Sequence, residues 1–248
     1  MGTLKSFFEE HRRAAVGFSG GVDSAYLLYA AKRCGAEVKA YFIKTQFQPE
    51  CEYRDAVRAA AEIGAELEIA ELDILRREIT ENPADRCYLC KKQIFSEICA
   101  RAEKDGFPIV LDGTNASDDI SDRPGVRALR ELGVRSPLCE CGITKREIRK
   151  RAREAGLTLW NKPSYACLAT RIPAGTEITA ELLERIENGE NAVSSLGFKD
   201  FRLRYFHGAA KLQLCAGDFN AAIKNREELL NRLSPYFDDV VMDLRARK

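Results

Sequence analysis

Residues 19–24, Ser-Gly-Gly-Val-Asp-Ser, constrain the fold of this 248-residue chain more than any other stretch. They follow an apolar run at 14–18, typical of a buried strand, and they precede a segment at 22–33 with the pattern of a helix. Adjacent glycines let backbone N–H groups approach an anion, and Ser19 and Ser24 add hydroxyl donors near the positive end of the helix dipole. The stretch therefore predicts a phosphate-binding loop between a strand and a helix.

This loop resembles the PP-loop of the ATP pyrophosphatase superfamily and lacks the G-x-x-x-x-G-K-S/T pattern of a Walker-type loop. The resemblance implies that the chain binds ATP and Mg²⁺ and splits ATP between its α and β phosphates to adenylate a substrate. It assigns Ser19, Gly20 and Gly21 to nucleotide binding. Asp23 and Ser24 are assigned to both nucleotide binding and catalysis. An ordinary glycine turn is the alternative interpretation.

Apolar runs and amphipathic stretches alternate through the first two thirds of the chain. Strands are predicted at 38–43, 67–72 and 108–112, with a helix at 51–63. This alternation predicts an α/β fold with a doubly wound parallel sheet, in which ligands bind at the carboxyl ends of the strands. Gly113 and Thr114 follow one such strand and Ile43 ends another. We expect them to line the ATP site, with the backbone near Ile43 touching adenine.

The pattern changes from about residue 160. The elements predicted there are helices at 182–196 and 221–233, a strand at 201–206 and its hairpin partner at 211–214. They suit a smaller α+β domain that follows a linker near Lys162 and Pro163. We expect a PP-loop domain at 1–160 and a substrate and sulfur-transfer domain at 161–248.

Composition and charge indicate a cytoplasmic enzyme. The start of the chain lacks a signal-peptide apolar region, and no run of residues is apolar for long enough to span a bilayer. Lys and Arg number 39 against 38 Asp and Glu, so we expect no membrane or nucleic-acid partner. Nine cysteines, an odd number, do not suit a secreted disulfide framework and instead suggest metal binding or catalysis. We also expect a homo-oligomer, although the sequence does not establish the oligomeric state.

A basic helix is predicted from Thr144, which forms a capping-box pattern with Glu147. Its basic residues are Lys145, Arg146, Arg149, Lys150, Arg151 and Arg153. Such residues can bind nucleic acid, but the spacing of Glu147 and Arg151 is that of an ion pair along a helix. We therefore favour a solvated helix face.

Cys167 precedes Arg171, a cation that would favour the thiolate form of the cysteine if it lies nearby; a buried structural thiol is the alternative. Six stretches are shared with one PP-loop family, namely 112–115, 123–125, 136–138, 144–145, 162–164 and 167–173. On these residues the chain resembles the LarE family of ATP-dependent sulfur transferases along nearly its whole length.

The resemblance implies a definite reaction. LarE enzymes adenylate a carboxylate of pyridinium-3,5-biscarboxylic acid mononucleotide, release pyrophosphate and replace the activated oxygen with sulfur, which gives a thiocarboxylate for nickel-pincer cofactor synthesis. AMP serves as the leaving group, and Mg²⁺ neutralises charge on pyrophosphate. The partners implied are this mononucleotide and sulfide or another sulfur donor. Cys167 matches the family's catalytic cysteine, which in sacrificial members gives up its own sulfur and becomes dehydroalanine.

Cys87 and Cys90 form a C-x-x-C pattern that departs from the sacrificial members. Such a pair can be a zinc half-site, a redox pair or part of an iron–sulfur cluster. Together with Cys167 the pair resembles the three-cysteine set of cluster-bearing LarE proteins and thiouridine synthetases. This implies a [4Fe–4S] cluster whose fourth iron binds the sulfide to be transferred. We favour the cluster over separate thiols.

Arg202 and Arg204 lie on one side of the predicted strand at 201–206, because strand side chains alternate. They can form an anion clamp or a solvated strand face. The resemblance implies that Arg202 and Arg204, together with Arg171, bind the substrate phosphate. Glu190 is either a metal or substrate contact or a surface residue.

Two other functional classes stay open. One is an amide-forming or RNA-thiolating PP-loop enzyme, and the other is a nucleotide-binding regulator without turnover. An amide ligase has no need of Cys167, and an RNA enzyme would carry a broader basic surface.

Overall fold

The computed structural model describes residues 3–118 and 124–247. The chain divides into two compact units: Met1–Ile74 with Asp85–Tyr165, and Leu75–Ala84 with Ala166–Lys248. The short segment Leu75–Ala84 therefore belongs with the C-terminal part of the chain. The domain limits expected from the sequence, 1–160 and 161–248, stay a prediction. Arg123, part of one of the shared stretches, lies outside the described residues.

The strands are β1 (Arg13–Gly17), β2 (Glu37–Lys44), β3 (Glu66–Glu71), β4 (Val110–Leu111), β5 (Phe201–Phe206), β6 (Ala209–Leu214) and β7 (Val240–Met242). The helices are α1 (Leu4–Glu10), α2 (Val22–Arg33), α3 (Glu50–Ile63), α4 (Arg77–Thr80), α5 (Arg86–Lys104), α6 (Pro124–Glu131), α7 (Pro137–Glu140), α8 (Lys145–Glu154), α9 (Ala180–Ser195), α10 (Phe219–Lys224) and α11 (Arg226–Leu233). Short 3₁₀ helices lie at Thr158–Asn161, Leu168–Arg171 and Ala216–Asp218.

The first unit is built on a parallel sheet of strand order β3-β2-β1-β4. The central strand β1 is apolar on both faces: Ala14 and Val16 join one buried cluster and Ala15 joins another. Leu27 and Leu28 of α2 belong to the first cluster, whereas α5 contributes to the second. A strand covered on both faces is typical of a doubly wound sheet, so the predicted α/β class is confirmed.

The second unit contains a three-stranded sheet of order β5-β6-β7. Strands β5 and β6 form an antiparallel hairpin, and β7 pairs in parallel with β6. The helix predicted at 221–233 is wrong as one element, because Asn225 separates α10 from α11. Its side-chain Nδ2 donates to the carbonyl of Ala221 at 2.9 Å, an asparagine-to-backbone bond of the kind that competes with helix continuation.

Helix α5, of 19 residues, was not predicted from the sequence. Phe95, Ile98 and Ala102 give it a buried stripe, but charged residues and cysteines interrupt the pattern. Within the described part of the chain, no helix combines the length and apolarity needed to cross a membrane.

Candidate active site

The loop at 19–24 connects β1 to α2 and has a geometry that requires glycine. Gly20 has φ +71, and a Cβ on it would lie 2.8 Å from the Cα of Ala56 in α3. Gly21 is the N-cap of α2 and provides no side-chain cap, which leaves the first N–H groups of the helix without a capping side chain. These features suit a loop that holds an anion at a helix N-terminus.

Two serines brace this loop from its ends. The Ser24 hydroxyl donates to the carbonyl of Gly21 at 3.1 Å and lies 3.2 Å from the hydroxyl of Ser19. The backbone N–H of Ser19 also donates to Ser24 Oγ, at 3.3 Å. Both predicted hydroxyl donors therefore lie at the start of α2, and their contact with nucleotide stays a prediction.

The loop after β4 packs directly against the same helix start. A Cβ on Gly113 would lie 2.9 Å from the backbone nitrogen of Ser24, so only glycine permits this approach. Thr114 donates through its hydroxyl to the buried carboxylate of Asp112. The structure thus brings together the two loops that were expected to line one site. Ile43 is 4% exposed at the end of β2, so its side chain belongs to the core.

Asp23, in the first turn of α2, forms an ion pair with Lys145, in the first turn of α8. Burial raises the pKa of Asp23, the bond from Lys145 opposes this shift, and the nearby Asp118 adds to it. The capping box of Thr144 and Glu147 is present and fixes where α8 begins. The pair with Asp23 was not predicted, because Lys145 was assigned to a solvated helix face.

Other basic residues of α8 are also committed to contacts inside the first unit. Arg149 donates to the carbonyls of Trp160 at 3.0 Å and Lys162 at 2.8 Å. Arg153 lies over the Trp160 ring. The expected solvated face therefore fits Lys150, whose side chain is 76% exposed, and Arg153, which is exposed beside the ring, but it does not fit the half-buried Arg149.

Cys87 and Cys90 lie in the first turns of α5, with Cys87 exposed and Cys90 partly exposed. Residues three apart share a helix face, and the N-cap Asp85 makes no side-chain cap bond. This suits two ligands of one metal group, but the described residues hold no cluster of three or more His, Cys, Asp or Glu side chains placed as a metal site.

Lys91 of the C-x-x-C helix α5 contacts the loop that follows β4. It follows Cys90 directly, and its Nζ lies 3.9 Å from Asp112 Oδ2. The Ser136 hydroxyl donates to the other oxygen of Asp112 at 2.5 Å. The C-x-x-C turn therefore lies close to the loop that packs against α2, a proximity that sequence spacing alone did not reveal.

Cys167 lies in the second unit, as the N-cap of the 3₁₀ helix Leu168–Arg171. Cys167 is partly exposed. Its backbone carbonyl accepts a hydrogen bond from the Thr170 hydroxyl at 2.7 Å. Arg171 Nη1 lies 3.4 Å from the same carbonyl and 2.9 Å from that of Ala166. The guanidinium thus braces the backbone that carries the thiol.

Arg171 and Glu190 form a buried, two-pronged ion pair. Arg171 is 1% exposed, and its Nε and Nη2 donate to the two carboxylate oxygens of Glu190 at 2.8 and 3.2 Å. Glu190 also accepts the backbone N–H of Leu203 in β5. Glu190 is therefore not a surface residue. A phosphate contact by Arg171 stays a prediction.

Arg202 and Arg204 extend this charge cluster along β5. Arg202 is 8% exposed, so the solvated strand face does not apply to it. Arg204 donates to the carbonyl of Thr170 and to Gln213 Oε1, each at 2.6 Å. Burial lowers the pKa of both guanidinium groups, and repulsion from Arg171 and Arg247 lowers it further. An anion placed here would relieve that repulsion.

Arg247 is a member of the cluster that the sequence analysis missed. Its Nη2 lies 3.1 Å from Asp200 Oδ1, which is also 3.9 Å from Arg202 Nη1. The buried Nε of Arg247 has no hydrogen-bond partner among the described residues. The backbone N–H of Arg247 donates to Leu214 of β6, which holds this end of the chain beside the sheet.

Comparisons with known proteins agree with this arrangement. Residues 12–106 match the family model described as the tRNA methyl transferase HUP domain. An uncharacterised protein of Synechocystis sp. is 36% identical over 214 residues, which cover 85% of this chain and 80% of that protein. Pyridinium-3,5-bisthiocarboxylic acid mononucleotide synthase of Lactiplantibacillus plantarum is 34% identical over 215 residues, 86% of this chain and 78% of that protein. The tRNA-specific 2-thiouridylase MnmA of Thermotoga maritima is 27% identical over 195 residues, 60% of this chain and 54% of that protein.

The nucleotide loop, the parallel sheet and these similarities define an ATP-dependent, sulfur-transferring enzyme of the PP-loop class, for which ATP and Mg²⁺ are the implied cofactors. Within that class, the chain belongs to the LarE family. The resemblance noted in the sequence is therefore confirmed.

Proposed function

We propose that this protein converts a carboxylate of pyridinium-3,5-biscarboxylic acid mononucleotide into a thiocarboxylate for nickel-pincer cofactor synthesis. The carboxylate attacks the α-phosphate of ATP and forms an acyl adenylate with release of pyrophosphate. Hydrogen sulfide anion then adds to the acyl carbon and expels AMP, which leaves the thiocarboxylate and one proton. A small-molecule acceptor and a cytoplasmic location are parts of the same proposal.

One observation carries this proposal: Cys167 begins a short 3₁₀ turn of the second unit that contains Arg171 and accepts a hydrogen bond from Arg204 of β5. Arg204 donates to the Thr170 carbonyl, three residues beyond the cysteine. The excess of guanidinium charge around Arg202, Arg204 and Arg247 suits the phosphate of a mononucleotide. The similarity to the Lactiplantibacillus plantarum synthase supports this acceptor.

In the first unit, Ser19, Gly20, Gly21 and Ser24 would hold the nucleotide phosphates at the N-terminus of α2. The Gly113 and Thr114 loop would close the same site, since Gly113 packs against Ser24. Asp23 with Lys145 would orient Mg²⁺ and the departing pyrophosphate.

For sulfur, we assign the three thiolates of Cys87, Cys90 and Cys167 to a [4Fe–4S] cluster. Such a cluster, when bound, supplies an open iron that holds sulfide for transfer. The placement of Cys87, which is exposed, and Cys90, which is partly exposed, three residues apart on one helix supports two of the three ligands. Sacrifice of the Cys167 sulfur is the alternative route.

The test uses anaerobically purified protein given ATP, Mg²⁺, the biscarboxylic mononucleotide and excess sulfide. We expect thiocarboxylate by mass spectrometry, more than one sulfur transferred per chain and an unmodified Cys167. Iron and acid-labile sulfide should be present and should be lost in Cys87→Ala, whereas Cys51→Ala, which alters another exposed cysteine, should retain them. One sulfur per chain with dehydroalanine at position 167 would instead establish the sacrificial route. Absence of thiocarboxylate, with sulfur transferred to tRNA in a parallel reaction that contains tRNA in place of the mononucleotide, would overturn the proposed acceptor.

A further inference from the structure

Arg204 differs from the other arginines of its cluster in having no ion pair. The other three each pair with a carboxylate, namely Arg171 with Glu190, and Arg202 and Arg247 with Asp200. Within the part of the chain that the structure describes, no carboxylate pairs with Arg204. Its guanidinium charge is therefore not neutralised by a directly bonded side chain, which suits a group that binds an anion.

Two hydrogen bonds hold this guanidinium in place. Arg204 Nε donates to Gln213 Oε1, and Nη1 donates to the backbone carbonyl of Thr170, each at 2.6 Å. Both acceptors are uncharged, so they orient the planar group and leave its charge available. Among the described residues, Nη2 makes no hydrogen bond. One nitrogen of a fixed guanidinium is thus left for a ligand.

Gln213 is itself held by Asp243, just beyond β7. In the pairing of β5 with β6, Gln213 is the diagonal neighbour of Arg204 on the same face of the sheet. Its Nε2 donates to Asp243 Oδ2 at 2.8 Å, and this bond lowers the pKa of Asp243. An ionised carboxylate only accepts hydrogen bonds, so it binds the amide nitrogen and leaves the amide oxygen to face Arg204.

Asp243 has a fixed position because its backbone belongs to the sheet. Its N–H donates to the carbonyl of Leu212 in β6 at 2.9 Å, and its Oδ1 accepts the N–H of Arg245 at 3.0 Å. A chain of hydrogen bonds therefore runs from the backbone of β6 through Asp243 and Gln213 to Arg204.

We propose that Gln213 is a positioning residue for the substrate phosphate: anchored by Asp243, it orients Arg204 so that Nη2 donates to a phosphate oxygen. This inference rests on the proposed function, which assigns the phosphate of the mononucleotide to this cluster. Glu190 neutralises Arg171 by direct pairing, whereas the Gln213 amide carries no net charge and leaves that of Arg204 to the ligand. Support of this kind fixes a binding group before the ligand arrives.

Isothermal titration of the full-length protein tests the inference with two ligands: the biscarboxylic mononucleotide and the nucleoside made by removing its phosphate. Gln213→Met keeps the side-chain length and removes the acceptor, so the dissociation constant of the mononucleotide should rise about 10-fold. Gln213→Asn keeps an amide but shortens it and should have a similar effect. Affinity for the nucleoside should stay within about 2-fold of the parent in both variants, because no phosphate is bound.

A double-mutant cycle with Arg204→Ala shows whether Gln213 acts through Arg204. If it does, Gln213→Met should weaken mononucleotide binding no further in a chain that already carries Arg204→Ala, to within about 2-fold. Lys224→Met, at the exposed end of α10 in the same unit, is the control and should bind both ligands like the parent.

The outcomes separate this inference from the proposed function. Additive effects in the cycle, equal losses for mononucleotide and nucleoside, or unchanged binding in both Gln213 variants while Arg204→Ala weakens the mononucleotide would each overturn the role of Gln213. These results would leave the phosphate site in place. An Arg204→Ala variant that binds the mononucleotide like the parent would overturn the proposed phosphate site and, with it, this inference.

Discussion

Asp23 and Lys145, which are 122 residues apart in the sequence, form an ion pair between the first turns of α2 and α8. The pair stands at the end of the loop proposed to hold ATP, where the N-terminus of α2 already favours an anion. The carboxylate is nevertheless buried enough that its pKa is raised in spite of the lysine. A buried carboxylate with a raised pKa gains more from a nearby cation than an exposed one does, which suits a site that receives a divalent cation.

Asp23→Asn should therefore change stability in a pH-dependent way. Because the folded-state pKa of Asp23 is raised, its contribution to stability is greatest below the unfolded pKa and is lost as pH rises through the folded value. Asparagine does not ionise, so the stability of the Asp23→Asn variant does not fall with the ionisation of this side chain. We expect its thermal midpoint, measured without nucleotide, to increase relative to the parent from about pH 4 to pH 7.

The control for this measurement is Asp218→Asn, at the end of a short 3₁₀ helix in the second unit. Its difference from the parent should not follow the Asp23 profile. A difference between Asp23→Asn and the parent that stays constant with pH would contradict the raised pKa. Pyrophosphate release by Asp23→Asn should also fall about 100-fold or more, as expected when a preorganised charge is removed.

Gly20→Ala should destabilise the nucleotide loop. Alanine is strained at φ +71, and its Cβ would lie 2.8 Å from the backbone of Ala56. Strain of this kind costs about 1–3 kcal/mol, which lowers the thermal midpoint by several degrees in a chain of this size. Gly217→Ala is a matched control, since nothing lies within 4 Å of a Cβ there and its φ is not positive. Equal midpoints for the two variants would contradict the loop geometry.

Local sequence signals were sufficient where the structure depends on local rules. The predicted limits of α2, 22–33, match Val22–Arg33, because glycines flank a helix-forming stretch at both ends. The predicted strand at 201–206 matches β5 for a similar reason, since apolar residues and arginines alternate in it. The two loops were expected to line one site, from the rule that parallel strands end on the same side, and Gly113 packs against Ser24.

The sequence was insufficient where the outcome depends on tertiary contacts. In the sequence, Lys145 cannot be distinguished from the other basic residues of α8. Only the packing of α8 near α2 shows that it pairs with Asp23. Arg247 lies in a short polar tail whose position depends on its pairing beside Leu214. Glu190 stands in the stretch Asn188-Gly189-Glu190-Asn191, which is typical of a surface helix, yet its carboxylate is buried in an ion pair with Arg171.

Glu190→Ala should be strongly destabilising. It leaves the buried guanidinium of Arg171 without its carboxylate partner, and removing one member of a buried pair costs about 3–5 kcal/mol. Glu228→Ala breaks a comparable arginine pair, with Arg232, on the exposed surface of α11 and should cost less than about 0.5 kcal/mol. Urea unfolding of the two variants makes the comparison. Similar midpoints would show that the Arg171 pair does not stabilise the second unit.

Arg247→Met should weaken binding of the mononucleotide and leave binding of ATP unchanged. The residue adds charge to the cluster of Arg202 and Arg204. The loss of one charge-assisted hydrogen bond to phosphate costs about 1.5–3 kcal/mol, which corresponds to about a 10- to 150-fold increase in the dissociation constant. Methionine keeps most of the aliphatic length of the side chain, so the fold should persist. Isothermal titration with each ligand separately measures the effect, and Arg245→Met in the same tail is the control. Arg204→Ala should resemble Arg247→Met, whereas an equal loss of affinity for both ligands in either variant would place these arginines outside a dedicated phosphate site.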